Sequence, residues 1–98
     1  MPPPLKRPQP LRHDAGLRDI VAYNIRLRRI RLTLSQEDLA LSADLDRTYV
    51  SAIERGRWNI SLSNIERLAV VLDVEPWKLL KPPATVVWNG SKRLEGLN

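Results

Sequence analysis

LSQEDLALSADLDRTYVSAIERGRWNISLSNIERLA, residues 34–69, is the stretch whose reading decides the fold. Ser35-Gln36-Glu37-Asp38 stands directly ahead of Leu39 and Ala40. A hydroxyl followed three residues later by an acid, just before an apolar run, is a reciprocal capping pattern, so a helix opens at Ser35. Its inward face is Leu39 and Ala40. Asp46 is a second side-chain cap, and Val50 and Ile53 give the helix after it an inner face. That helix runs to Arg55, where Gly56 ends it. Only Ala43 to Asp46 separate the apolar part of one helix from the cap of the next. Small Ala40 lets the two helices approach closely, and Leu45 must be buried to pin the turn.

Two short helices joined this tightly around a buried residue form a helix-turn-helix unit. The outer face of its second helix carries Arg47, Thr48, Ser51, Ala52 and Arg55, spaced to fall opposite Val50 and Ile53. An ordinary solvent face mixes Glu with Lys. This one has no acid and no large aliphatic side chain, and its arginines and hydroxyls suit insertion into the major groove of double-stranded DNA.

The rest of the chain supplies three more helices. One spans about Leu17–Leu32, with Asp14 as its cap and Val21, Ala22, Ile25 and Leu32 on one face. Arg29 lies on that stripe, and Glu54 lies beside Val50 and Ile53. A lone buried ion is costly, so the two are expected to pair as an architectural tie; the alternative is that both side chains reach out to water. A fourth helix begins near Ser61, with Ser63 as a rival cap, and sets Leu62, Ile65, Leu68, Ala69 and Leu72 at helical spacing. A fifth starts at Pro76 and carries Trp77, Leu79 and Leu80. The pattern predicts an all-α, compact five-helix bundle over residues 14–81. Residues 1–13 hold five of the eight prolines and read as a disordered basic leader, or as an arm lying along DNA. Residues 82–98 open on Pro82-Pro83, and TVVW-NG-SKRL within them has the makings of a short strand or hairpin.

Bulk properties narrow the function. At 98 residues the chain has room for one small domain and none for a lidded enzyme cleft. It has no cysteine and a single histidine, His13, in the leader. That leaves no cysteine zinc site, no histidine metal cluster and no Ser-His pair, so an enzyme, a metal and a cofactor are not expected. The net charge is +5, carried mainly by arginine, which is suited to phosphates and guanine edges. No apolar run reaches the length of a membrane span, and no secretory signal is visible at the start.

Residues 24–80 resemble the lambdoid phage repressor and Cro family (the XRE type), and SQEDLA, LDRTYVSAIERG and NISLSNIERLA most resemble the controller proteins of restriction–modification systems within it. The resemblance implies a five-helix domain, a homodimer and binding to a pseudo-palindromic operator by a transcriptional regulator acting in the cytoplasm, on the nucleoid of a bacterium or under a phage. By the same resemblance, Arg47 and Thr48 fall at base-reading positions with Asp46, Ser51 and Ala52 beside them. Gln36, Tyr49, Arg57, Asn59 and Ser61 fall where the DNA backbone is touched. Arg29 and Glu54 match the family's buried ion pair. Thr33 stands where a glycine usually ends the first helix, which implies a different turn there. The dimer surface is expected at the end of the fourth helix and the fifth: Val71, Val74, Trp77 and Leu80, with Trp77 alternatively a core residue of the monomer. No small-molecule effector is expected. Antitoxins use the same domain, so a toxin-binding regulator is the alternative reading.

Overall fold

The computed structural model describes residues 7–87. Four α-helices follow one another: α1 (Leu17–Arg31), α2 (Gln36–Ala43), α3 (Arg47–Glu54) and α4 (Leu62–Val71). The expected fifth helix is instead a single 3-10 segment, Pro76–Leu80. Five residues between Pro76 and the Pro82-Pro83 block are too few to propagate i→i−4 bonding, and the residue before a proline is driven out of the helical region. No strand occurs among the described residues.

The helix starts are built by side chains. Ser35 Oγ accepts from the Asp38 amide at 2.9 Å while Asp38 Oδ2 accepts from the Ser35 amide at 3.1 Å, closing the box ahead of α2. Asp46 Oδ1 accepts from the Thr48 amide at 2.7 Å. Ser61, rather than Ser63, caps α4, accepting from the Asn64 amide at 3.1 Å. Helix α1 departs from expectation. Its first flanking residue is Gly16, which has no side chain to offer, and Asp14 lies 3.2 Å from Arg12 Nε.

The helix ends are built by backbone. Thr33, Asp44, Gly56 and Asp73 all adopt the left-handed conformation, with φ of 58°, 57°, 67° and 53°. Each time, two successive amides fold back onto the last turn: those of Thr33 and Leu34 onto Ile30 and Arg29, and those of Gly56 and Arg57 onto Ile53 and Ala52. These bonds satisfy carbonyls that a helix end otherwise leaves open. Glycine suits the conformation, and at Gly56 a Cβ would in addition sit 2.6 Å from Asp19 Oδ1, so that side chain would have to swing aside to admit one. Thr33 does not yield a different turn, contrary to the implication of the resemblance. It keeps the left-handed one, at a strain of about 1–2 kcal/mol for a residue with a Cβ.

Helix α1 packs on α3 and on the 3-10 segment, α2 packs on α3 and α4, and α4 packs on the 3-10 segment. Ile25, Leu39, Val50, Leu68, Leu72 and Leu79 are fully buried where these elements meet. Each contributes about 1.5–3 kcal/mol through burial. Leu45 is half-buried against this core and holds the α2–α3 turn, its amide bonded to Ala40 O at 2.8 Å. Leu32 is not part of the inner stripe. It follows the last helical residue of α1, where the chain turns away, and is 37% exposed.

The segments flanking the bundle meet. Ala15 is buried, its amide bonds to Arg12 O at 3.1 Å, and the Val87 amide bonds to His13 O at 2.9 Å. Residues 1–6 of the expected leader, and the suggested hairpin from Trp88 onward, lie outside the described residues. Thr85–Val87 is turn and extended chain, with the Val86 amide on Pro83 O at 3.0 Å.

Candidate nucleic-acid interface

Helix α3 is seated from behind by a charge pair. Arg29 of α1 and Glu54 of α3 are only 5% and 6% exposed. The guanidinium meets the carboxylate as a fork, Nε to Oε2 at 2.6 Å and Nη2 to Oε1 at 2.8 Å. The remaining Arg29 nitrogen, Nη1, donates to Leu34 O at 2.8 Å, so the α1–α2 turn is held as well. Buried charges are tolerable only when their hydrogen-bonding capacity is used in this way. Glu54 Oε1 also accepts from Gln36 Nε2 at 3.2 Å. Gln36 is the first residue of α2, and its amide nitrogen is thus turned toward the ion pair from a half-buried position.

With Val50, Ile53 and Glu54 facing inward, Arg47 and Thr48 are exposed, Ser51 is half-exposed, and Arg55 is exposed at the end of the helix. Ala52 is different: it is 4% exposed. The sequence places it on the outer face beside Ser51, but at this position the methyl group is covered by the fold, which removes it from any surface a base could reach. The Asp46 carboxylate is exposed and spent on the cap of α3, one residue ahead of Arg47. At the start of α2, hydrogen bonds from the Ser35 amide and hydroxyl hold the Asp38 carboxyl below its ordinary range.

The loop after α3 continues the surface. Arg57, Asn59 and Ser61 are all exposed. Tyr49 is half-buried; its hydroxyl accepts from Asn64 Nδ2 at 2.9 Å, and its ring meets that of Trp58 at 6.0 Å and 54°. Sequence reading did not find Asn64 or Trp58, because contacts of α3 with α4 and with the loop between them leave no local pattern. The expected partner-facing residues divide. Val71, Val74 and Leu80 are half-buried against the core, whereas Trp77 is 65% exposed, so the core alternative for Trp77 does not hold. Val70 is 80% exposed beside them and was not anticipated.

A groove of about 750 Å³ runs between residues 8–16 and the α1–α3 junction. Arg12, Arg26, Arg55 and Arg57 line it, but so do Asp14, Asp19 and Glu54, and this near balance of charge does not select an anion. No cluster of potential metal ligands and no helix long and apolar enough to cross a membrane occurs among the described residues.

Comparison with known proteins bears on what this surface meets. A helix-turn-helix family matches residues 25–76. The control protein C.BamHI of Bacillus amyloliquefaciens is 52% identical over 61 residues, which are 59% of this chain and 75% of that protein. The crystal structure of hypothetical transcription factor NHTF from Neisseria superposes with a TM-score of 0.77 at 48% identity, covering 93% of this chain and 97% of that one. The restriction–modification controller protein C.Esp1396I, as a tetramer in complex with its natural 35 base-pair operator, superposes with a TM-score of 0.61 at 33% identity, over 67% of this chain and 87% of that one.

Proposed function

The chain belongs to the helix-turn-helix family of DNA-binding regulators that includes the restriction–modification controller proteins, and we propose that it binds a pseudo-palindromic operator as a homodimer, with α3 of each subunit in the major groove. The observation that carries this reading is the outward strip of α3, arginine- and hydroxyl-bearing and without an acid, on a helix seated from behind by a buried ion pair. Arg47 donates a bidentate pair to guanine O6 and N7, and Thr48 and Ser51 contact neighbouring base edges. Each good base contact contributes about 1–3 kcal/mol of discrimination. Gln36, Tyr49, Arg57, Asn59 and Ser61 set register through phosphates and carry little sequence information. To reach a phosphate, the Gln36 amide can keep one hydrogen on Glu54 and donate the other, since its nitrogen carries two.

One α3 reads only a few base pairs, so a second copy is needed. Val70 and Trp77, with the outer edges of Val71, Val74 and Leu80, form the surface on which the two subunits meet. Half-sites then lie about one turn of DNA apart, roughly 34 Å. The protein acts on the nucleoid and requires no small-molecule effector. In vitro selection of bound DNA tests the reading. Wild-type protein should return a two-fold symmetric consensus, and Arg47→Ala should lose preference at one base pair in each half. An unchanged consensus from that variant defeats the assignment.

A further inference from the structure

Two side chains of α1 have no part in the DNA surface yet bind four backbone carbonyls at the far side of the molecule. Asn24 donates both hydrogens of its amide, one to Leu79 O and one to Lys81 O, each at 2.8 Å. Arg28, one helical turn later on the same face, donates from Nε to Leu72 O at 2.8 Å and from Nη2 to Asp73 O at 2.9 Å. The four acceptors bracket residues 74–80, which include Val74, Trp77 and Leu80.

That segment is otherwise held by a short turn and by the side chains packed beneath it. A 3-10 turn has poorer hydrogen-bond geometry than an α-helix, and this one is five residues long. Pro76 contributes no amide hydrogen. Where the turn meets its neighbours, the Lys78 amide returns to Glu75 O at 2.9 Å and the Lys81 amide makes a long return to Lys78 O at 3.4 Å. Leu79 anchors it inside the core and Val74 and Leu80 pack half-buried against that core, so what the side chains leave to be fixed is the backbone at the two ends of the segment, with exposed Trp77 between them. The two Asn24 bonds fix the far end and the Arg28 fork fixes the near end. The fork also places a cation at the C-terminus of α4, where the helix dipole favours one.

We propose that Asn24 and Arg28 are the positioning residues of the subunit interface: they hold the 3-10 segment in the orientation that presents Trp77 to a second copy of this chain. The proposal rests on the reading of residues 70–80 as the dimer surface. Arg29, the next residue in sequence, faces the opposite partner, α3, so adjacent arginines of one helix fix the DNA-reading side and the subunit-binding side.

Sedimentation of the full chain, together with titration onto DNA carrying one or two half-sites, tests this. Asn24→Ala and Arg28→Ala should each weaken self-association about tenfold or more, with helical circular dichroism and single-half-site affinity retained. Arg28→Lys, which keeps the charge but cannot fork onto two carbonyls, should fall between wild type and Arg28→Ala. Trp77→Arg serves as the reference and should be monomeric. If Trp77→Arg is monomeric while Asn24→Ala and Arg28→Ala associate like wild type, the positioning role is overturned and the dimer surface stands. If Trp77→Arg associates like wild type, the dimer surface itself falls. Should the alanine variants fail to fold, hydrogen exchange on the wild type decides. The Lys78 and Lys81 amides should be protected like those at the end of α4, and exchange at the rate of an open loop overturns the proposal.

Discussion

Helices α3 and α4 are close in length, at 8 and 10 residues, and both open on a side-chain cap and close on a left-handed residue. What they leave outside differs. α3 exposes Arg47 and Thr48 and keeps every aliphatic side chain covered. α4 exposes Leu62 and Val70 and leads into exposed Trp77. Clustered exposed apolar side chains suit contact with protein, and a short arginine-bearing face suits the grooved polyanion of DNA. On the proposed reading, two helices of similar construction carry different functions through what each leaves unburied.

The largest expected effect strikes the seat of α3. Glu54→Ala leaves Arg29 buried without its partner and should lower stability by about 3–5 kcal/mol, a large share of what a small domain possesses. Replacing both residues, with Arg29→Met and Glu54→Leu, should restore much of that loss in urea unfolding; a double variant as unstable as the single one would show that the pair is not the relevant interaction. A reciprocal pair of carboxylates sharpens the contrast at the next scale. Ser51→Glu should reduce affinity for a single half-site by at least about tenfold, or about 1.4 kcal/mol, with self-association unchanged. Val70→Glu should do the reverse. Equal loss of both properties in either variant would mean that the two faces are not separate. The smallest effect tests what the helices share. Thr33→Gly relieves a left-handed strain at the cost of added freedom in the unfolded chain, for a net gain of about 0.5–1 kcal/mol in thermal unfolding and no change in DNA affinity.

The starts of α2, α3 and α4 were readable because their cause is local, whereas α1 opens on Gly16 with no side-chain cap to read. Ser35, Asp46 and Ser61 each bond an amide two or three residues away, and that spacing is visible in one dimension. Of the ends, only that of α3 at Gly56 carried a glycine signal, because the other three left-handed residues are Thr33, Asp44 and Asp73. Charges at Arg29 and Glu54 stand out on apolar stripes, but the addition of Gln36 and Leu34 O to their network depends on how three elements converge. Ala52 illustrates a different limit. Alanine is compatible with either side of a helix, so periodicity alone cannot decide whether a neighbouring element covers it, and here one does. Asn24 and Arg28 read as ordinary polar residues of α1 because their partners lie 44 to 57 residues away.

Mobile ions reach the two halves of this design unequally. The proposed contacts to phosphate lie at the surface and should weaken steeply as ionic strength rises, because counterions displaced from DNA return. The Arg29–Glu54 fork is sealed from solvent, beyond the reach of that screening. A concentrated salt solution should therefore lift the protein off its operator with α3 still correctly mounted, and dilution alone should send it back, with no refolding in between.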